Sequence, residues 1–90
     1  MLYAVICTDK PDQLEVRKAN RPAHVDYLKA TSVVQAGPFL DAAGDMCGSL
    51  VIIEAKDMAA AQTWAAGDPY GQAGLFAEVR IEAWNRVIGG

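Results

Sequence analysis

The first apolar segment of the chain, Leu2 to Cys7, is hydrophobic on both of its alternating faces. One set is Leu2, Ala4 and Ile6, and the other is Tyr3, Val5 and Cys7. Because successive side chains of a strand point to opposite sides, this pattern predicts a central strand that is covered on both faces. The strand ends at a turn-type cluster of residues, Thr8-Asp9-Lys10-Pro11.

Helix-forming residues dominate the segment from Asp12 to Thr31, and Pro22 is its single interruption. Because proline lacks an N–H group and clashes with the preceding turn, we expect a short first helix and a second one that begins near Pro22. Asn20 is a candidate N-cap for that second helix.

Two further strands are predicted in the middle of the chain. Val33 to Leu40 has strand character interrupted by Gly37-Pro38, and Gly48 to Glu54 contains a run of apolar residues. Turn-type residues connect the two segments from Asp41 to Asp45, so the pair is predicted to form a hairpin.

The last third of the chain predicts a helix, a loop and a strand. Asp57 caps a helix from Met58 to about Ala66, and Gly67 ends it in the left-handed conformation. The segment from Asp68 to Gly74 is predicted to be a loop. Glu78 to Arg86 alternates as a strand does, with Val79, Ile81 and Ala83 on one face and polar residues with Trp84 on the other.

This order of elements predicts an α+β fold. With right-handed crossovers, βα(α)ββαβ gives a ferredoxin-like βαββαβ arrangement, in which an antiparallel four-stranded sheet carries its helices on one side. Ninety residues can enclose one hydrophobic core, so we expect a single domain over residues 1–90. The other side of the sheet then faces a partner or a ligand.

The composition favours association, since 52% of the residues are hydrophobic and 21% are charged. A small domain this apolar most easily covers its second sheet face with another copy of itself, so we expect a homodimer. A net charge of -3 opposes binding to nucleic acid. The longest apolar run, Leu50 to Ile53, is far too short to cross a membrane, and the N-terminus lacks signal-peptide features, so we expect a cytoplasmic protein.

Sequence motifs for metals and cofactors are missing. Cys7 and Cys47 do not have C-x-x-C spacing, and one histidine with scattered carboxylates gives no metal-ligand pattern. The sequence contains no glycine-rich phosphate loop and no GxSxG motif. We therefore expect buried free thiols and no cofactor.

Polar residues interrupt an apolar seam in the predicted helical segment. If the helix is unbroken, one stripe contains Leu14, Arg17, Arg21, His24 and Leu28. A break at Pro22 leaves only Arg21, His24 and Leu28 on a common face. Two interpretations stay open: solvated arginines beside a histidine at the edge of the core, or a polar pocket around the only histidine of the chain.

His24 is the best candidate for proton transfer, because an imidazole takes and gives a proton near neutral pH. Such a histidine needs an orienting partner, and Asp68 is the best one in the sequence. Asp-Pro directly after Gly67 holds a carboxylate on an extended backbone. The residue pattern alone nevertheless favours a simple Asx turn at Asp68.

Four more residues are candidates for substrate binding. Gly37 and Pro38 could bring backbone amides to a ligand, although a bend in an edge strand is the simpler interpretation. Tyr70 could donate a hydrogen bond into the pocket or only pack over it. Trp84 could form a pocket wall or a dimer contact, and the pattern favours the contact.

Four short motifs follow the apolar first strand in order: Arg21-Pro22-Ala23-His24, Ala36-Gly37-Pro38, Asp68-Pro69-Tyr70 and a final alternating strand with Trp84. Together they resemble the YCII-related family of small bacterial proteins, over nearly the whole chain. The resemblance implies a dimeric α+β barrel in which two ferredoxin-like sheets face each other, with an active site where His24 pairs with Asp68. The chain departs from the commoner Asp-Pro-Phe by carrying Tyr70, so we do not extend the resemblance to a substrate.

The resemblance also suggests a type of reaction. One branch of the family is a dehydrochlorinase acting on a chlorinated hydroxyquinol, and the fold resembles muconolactone isomerase. The first hypothesis is therefore a lyase- or isomerase-type enzyme acting on a small cyclic or aromatic-derived substrate. In it His24 is the general base or acid, Asp68 orients it and Arg21 steadies anionic charge. The alternative is a noncatalytic dimeric module that binds a small metabolite in the same pocket.

Overall fold

The structure of the chain, a computed structural model, describes residues 1–89. Its elements are β1 (Leu2–Asp9), α1 (Leu14–Ala30), β2 (Val33–Leu40), β3 (Met46–Glu54), α2 (Met58–Ala66), α3 (Pro69–Gln72) and β4 (Phe76–Trp84). The four strands form one antiparallel sheet in the order β2-β3-β1-β4. This arrangement confirms the predicted α+β class and the βαββαβ order, to which α3 adds a single helical turn.

The core lies between the helices and one face of the sheet. Its centre is formed by alternate residues of the two middle strands, together with one small residue of α2: Tyr3, Val5, Cys7, Val51, Ile53 and Ala61. Each of the three larger aliphatic side chains, Val5, Val51 and Ile53, contributes about 1.5–3 kcal/mol when it is removed from water. The alternation in the sequence of β1 thus selects which side chains meet the helices.

The opposite face of the sheet, here called the open face, carries the other alternating set. The register places Leu2, Ala4 and Ile6 of β1 next to Leu50 and Ile52 of β3 on this side. Leu2, Ile6 and Leu50 are half-buried, whereas Ala4 and Ile52 are buried. Beyond β4, Arg86 Nη2 donates a 2.8 Å hydrogen bond to Gln35 Oε1 of β2, so the chain returns across this face.

Helix α1 runs unbroken through Pro22, so the predicted break and second helix start are wrong. Pro22 removes one N–H group from the helix, but Arg17 and His24 are buried on either side of it, and this packing outweighs the local cost. Asn20 is not an N-cap either. Its Nδ2 donates to the carbonyl of Val16 at 2.9 Å, within the helix.

Helix α2 begins where the sequence predicts, because Asp57 Oδ1 accepts a 2.8 Å hydrogen bond from the Ala60 N–H. Its end differs from the prediction. Gly67 has φ of -85° and is not left-handed. A side chain is excluded there for another reason: a Cβ on Gly67 would lie 2.5 Å from the Tyr27 hydroxyl.

The contact that excludes this Cβ also fixes the C-terminal end of α2 against α1. Tyr27 donates to the carbonyl of Trp64 at 2.7 Å, and Trp64 Nε1 donates to Thr31 Oγ1 at 2.9 Å. Because Asp68 follows two residues after α2, these bonds set its position relative to α1.

The remaining differences concern the ends and continuity of elements. The segment predicted as a loop from Asp68 to Gly74 contains α3, which Asp68 caps. Strand β2 passes through Gly37-Pro38 without a break, which an edge strand permits because the proline nitrogen needs no partner there. Strand β4 begins earlier than predicted, at Phe76, and ends at Trp84. Within residues 1–89, no helix has the length and apolar character needed to cross a membrane.

Candidate active site around His24

The continuous helix α1 brings Arg17, Arg21, His24 and Leu28 to one face, which lies over the sheet. These residues line a cavity of about 150 Å³ between α1 and the strands β2 and β3. The facing wall consists of Ala36, Gly37 and Pro38 from β2 and Ser49 and Val51 from β3. The cavity therefore combines one histidine and two guanidinium groups with mostly apolar walls.

His24 and Asp68 meet at this cavity although 44 residues separate them in the chain. His24 Nδ1 lies 2.8 Å from Asp68 Oδ1, and the two residues are 6% and 3% exposed. Asp68 Oδ1 also accepts a 2.9 Å hydrogen bond from the Tyr70 N–H. The Asx turn and the imidazole contact, which the sequence presents as alternatives, are made by the same oxygen atom.

The contact with Asp68 assigns the protons of the imidazole. Because a carboxylate oxygen accepts hydrogen bonds, Nδ1 carries the hydrogen and Nε2 of the neutral ring keeps its lone pair. Nε2 makes no hydrogen bond to residues 1–89. Within the same range, every fully buried side-chain nitrogen and oxygen has a hydrogen-bond partner. Nε2 is therefore the ring nitrogen that is left for chemistry.

Tyr70, buried in the same region, stacks on the imidazole of His24. The centroids of the two rings are 3.9 Å apart and the ring planes differ by 17°. The guanidinium carbon of Arg17 lies 4.5 Å from the centroid of the Tyr70 ring. Burial raises the pKa of the Tyr70 phenol, and the charges of Arg17 and Arg21 offset only part of the increase. The phenol is therefore a hydrogen-bond donor at neutral pH.

Arg17 is held by three hydrogen bonds, although it is only 2% exposed. Its Nε and Nη2 donate to the two carboxylate oxygens of Asp9 at 2.6 and 2.8 Å, and Nη2 also donates to Ser49 Oγ at 2.9 Å. Burial opposes the charged form, but the hydrogen bonds and charge of Asp9 outweigh it and raise the pKa of Arg17. Arg17 is therefore a fixed cation at one end of the cavity.

Cys7 lies under this group of residues, and its thiol is buried. Burial raises the pKa of its thiol to about 12, and the charge of Asp68 adds to the increase. At pH 8 only about one Cys7 in ten thousand would then be a thiolate.

We expect native protein at pH 8 to react with iodoacetamide at Cys47 alone, because Cys47 is a free, half-buried thiol whereas Cys7 is sealed. Peptide mass spectrometry of the native and urea-unfolded chain checks this. Urea should make Cys7 reactive as well. Equal labelling of both cysteines in the native state would contradict the buried, protonated Cys7.

The structure brings most of the sequence candidates together. Arg21, Gly37, Pro38 and Tyr70 line the same cavity as His24, and Asp68 lies behind the imidazole. Trp84 does not join them within one chain. It pairs with Leu2 at the far edge of the sheet, and its side chain belongs to the open face.

Sequence reasoning missed Asp9 and Ser49, the two partners of Arg17. The sequence pattern places Asp9 in a turn, although it is the last residue of β1. Ser49 had a weak signal, as a lone hydroxyl directly before an apolar run. Residues 1–89 contain no group of three His, Cys, Asp or Glu side chains arranged to hold a metal ion.

A second, larger hollow of about 590 Å³ lies between α2 and β4. Its lining has no ionisable side chain and consists of Met58, Gln62, Ala65, Ala66, Gly71, Gln72, Val79 and Ile81. It offers no acid-base chemistry, so the cavity at His24 is the better candidate for an active site despite its smaller volume.

Comparison with known proteins shows the family to which the chain belongs. The family model of the YCII-related domain matches residues 1–85. The chain belongs to the YCII-related family. Protein YciI from Escherichia coli O6:H1 is 37% identical over 98% of this chain and 100% of its own length. A protein from Haemophilus influenzae that is named only as uncharacterised is 34% identical with the same coverage.

Solved structures extend the comparison. This YCII-related chain resembles TftG, the 5-chloro-2-hydroxyhydroquinone dehydrochlorinase of Burkholderia phenoliruptrix AC1100, whose structure contains 2,5-dihydroxybenzoquinone. The TM-score is 0.88 at 35% identity, over 94% of each chain. PA3566 from Pseudomonas aeruginosa gives a TM-score of 0.58 at 18% identity, over 97% of this chain and 93% of that one. This second likeness shows the fold alone.

Proposed function

We propose that the protein is a small lyase- or isomerase-type enzyme in which His24 transfers a proton. The observation that carries the proposal is the 2.8 Å contact between His24 Nδ1 and Asp68 Oδ1, beside a cavity that His24 lines. A positioned histidine of this kind typically accelerates proton transfer by about 10²–10⁴-fold. The likeness to TftG supports the same class of reaction.

Each polar group then has a distinct role. Nε2 of His24 removes a proton from an acidic carbon or hydroxyl group of the substrate, and Asp68 stabilises the resulting imidazolium. In an isomerase the same nitrogen returns the proton to another atom. In a lyase a leaving group departs with its bonding electrons. Arg21, which lines the cavity and forms no ion pair within residues 1–89, neutralises anionic charge on the substrate.

The volume of the cavity suits a substrate with one small ring. A volume of about 150 Å³ holds a single substituted ring, and the walls at Gly37 and Pro38 would contact its faces. Tyr70 lines the cavity, and its phenol would donate a hydrogen bond to a ring oxygen. TftG is named for a chlorinated hydroxyquinol and its structure contains a dihydroxyquinone, so oxygenated six-membered rings are the class to test first.

The proposal is tested with the two molecules named for TftG. We expect 2,5-dihydroxybenzoquinone to stabilise the protein, by about 2.7 kcal/mol at a hundred times its Kd. Chloride release from 5-chloro-2-hydroxyhydroquinone then measures turnover, with Asp68→Asn as the comparison variant. If neither compound binds and neither is converted, this class of ring is excluded as the substrate. Turnover that Asp68→Asn leaves unchanged would remove the role of the pair.

A noncatalytic binding module is the second candidate. The deep burial of His24 and Asp68 suits a ligand that is enclosed and kept as well as one that is converted. Mass analysis of bound quinone or quinol separates the two: a changed molecule supports the enzyme, and an unchanged one supports the module.

We also propose that two copies of the chain pair through their open faces. Leu2, Ile6 and Leu50 are only half-buried there, and Phe39 and Trp84 are exposed at its edges. A stable interface typically buries about 800 Å² on each partner, and the half-buried and exposed apolar residues of this face suit such an interface. Trp84 would then be an interface residue.

Leu50→Lys should convert the dimer to a monomer, because a charge would be buried between two sheets. Light scattering after size-exclusion chromatography measures the mass. The matched control is Gln62→Lys, which adds the same charge on exposed α2, on the other side of the sheet. A wild-type monomer, or a Leu50→Lys dimer, would contradict this interface.

We propose that the protein acts in the cytoplasm. Both cysteines are free thiols, which suits a reducing compartment. Fractionation of cells with an antibody against the chain tests this, and recovery outside the cytoplasm would overturn it.

A further inference from the structure

The Tyr70 ring fills the gap between two side chains of α1. Arg17 and His24 are seven residues apart, which is two helical turns or about 10 Å along the axis. The Tyr70 centroid is 3.9 Å from the imidazole centroid and 4.5 Å from the guanidinium carbon. The three side chains therefore form a stack in the order Arg17, Tyr70, His24, at the contact between α1 and α3.

The imidazole is fixed in two directions by different residues. Asp68 holds Nδ1 within the plane of the ring, but one hydrogen bond still allows the ring to tilt about it. The Tyr70 ring, nearly parallel to the imidazole, opposes that tilt. It does so only as long as Tyr70 itself cannot move away from His24.

Arg17 occupies the position into which Tyr70 would move. Two hydrogen bonds to Asp9 and one to Ser49 anchor the guanidinium to β1 and β3. A cation close to the face of an aromatic ring is also attracted by it, and this attraction is stronger in a buried site. The sheet thus supports the imidazole through Arg17 and Tyr70.

We propose that Arg17 is a positioning residue for His24, acting through the Tyr70 ring. The role rests on the proposed function, because the direction of Nε2 matters only if that atom exchanges a proton with a ligand. A purely structural Arg17 would tie α1 to β1 through Asp9 and leave the stack unchanged when it is replaced.

Nuclear magnetic resonance of the imidazole tests the proposal without a substrate. His24 is the only histidine, so its two ring C–H signals are assigned without ambiguity. A parallel aromatic ring at 3.9 Å shifts these signals upfield. Tyr70→Leu sets the value without the stack, and Tyr70→Phe, which keeps the ring, should retain the wild-type shift.

The deciding variant is Asp9→Leu with Arg17→Met, which removes the guanidinium without leaving a buried charge unpaired. We expect its His24 signals to lose most of the upfield shift and approach those of Tyr70→Leu. A folded double variant with the wild-type shift would overturn the role of Arg17. If the double variant does not fold, Asp9→Asn with Arg17→Gln decides in the same way, because this pair removes the guanidinium and the buried charges but keeps side chains that can hydrogen-bond to each other.

The outcome is independent of the test for turnover. If the protein is inactive but the double variant loses the upfield shift, the role of Arg17 in the stack is supported and the proposed enzyme activity is rejected. If the protein is active but the double variant retains the wild-type shift, the enzyme activity is supported and the positioning role of Arg17 is rejected.

Discussion

His24→Gln is expected to lower turnover of any substrate by about 10²–10⁴-fold, which is the usual contribution of a general acid or base. Glutamine retains an N–H donor for Asp68 but has no nitrogen that takes up a proton near neutral pH. Because the buried Asp68 keeps a partner, the melting temperature should change little. The rate of chloride release from the chlorinated hydroxyquinol, or of consumption of another substrate once found, measures the effect.

The matched control for this variant is Asp26→Asn. Asp26 is exposed and lies two residues further along the same helix, so its side chain points away from the cavity. It should leave turnover unchanged. Full activity of His24→Gln at a normal melting temperature would mean that the imidazole is not the proton-transfer group.

The strand pattern could be predicted because it depends on local alternation. The two apolar sets of β1 and the alternating set of β4 each follow from side chains pointing to opposite faces. Asp57 was equally predictable as a helix cap, since its hydrogen bond reaches only three residues ahead. Features with a range of a few residues are those that one sequence reveals best.

Pro22 shows where local reasoning fails. Its cost to a helix is a local quantity, whereas the burial of Arg17 and His24 against the sheet is a tertiary one. The error had a consequence for the site. A broken helix separates Arg17 from His24, and only the continuous helix places both on the face that lines the cavity.

The pairing of His24 with Asp68 could not be derived from the residues alone. Asp-Pro after a helix is typical of an Asx turn, and that turn is present in the structure. The resemblance to the family indicated the second contact, and the fold places Nδ1 at 2.8 Å. One carboxylate oxygen accepts both hydrogen bonds. The sequence pattern presents the Asx turn and the imidazole contact as alternatives, so it does not predict that both are made.

The partners of Arg17 were out of reach for a different reason. Asp9 and Ser49 are 8 and 32 residues away in sequence, on two strands that meet only in the folded sheet. No spacing rule connects a helical arginine to the end of one strand and the middle of another. These two residues nevertheless determine whether a buried cation can be tolerated next to Tyr70.

Arg17→Met is expected to lower the free energy of unfolding by about 3–5 kcal/mol, because it leaves the Asp9 carboxylate buried without its partner. The Asp9 side chain is only 6% exposed. A loss of this size is a large part of the roughly 5–15 kcal/mol that stabilises a typical domain. Urea unfolding followed by circular dichroism measures it, at one fixed protein concentration, because the stability of a dimer depends on concentration.

Adding Asp9→Leu to Arg17→Met should recover most of that loss, because neither member of this ion pair is then left buried without its partner. The slope of the unfolding free energy against urea should match the wild-type slope if the compact state is unchanged. If the double variant is as unstable as the single one, the loss comes from the missing contacts with Tyr70 and Ser49 instead of from the unpaired carboxylate. Ion pairing would then be a minor part of what Arg17 contributes to the fold.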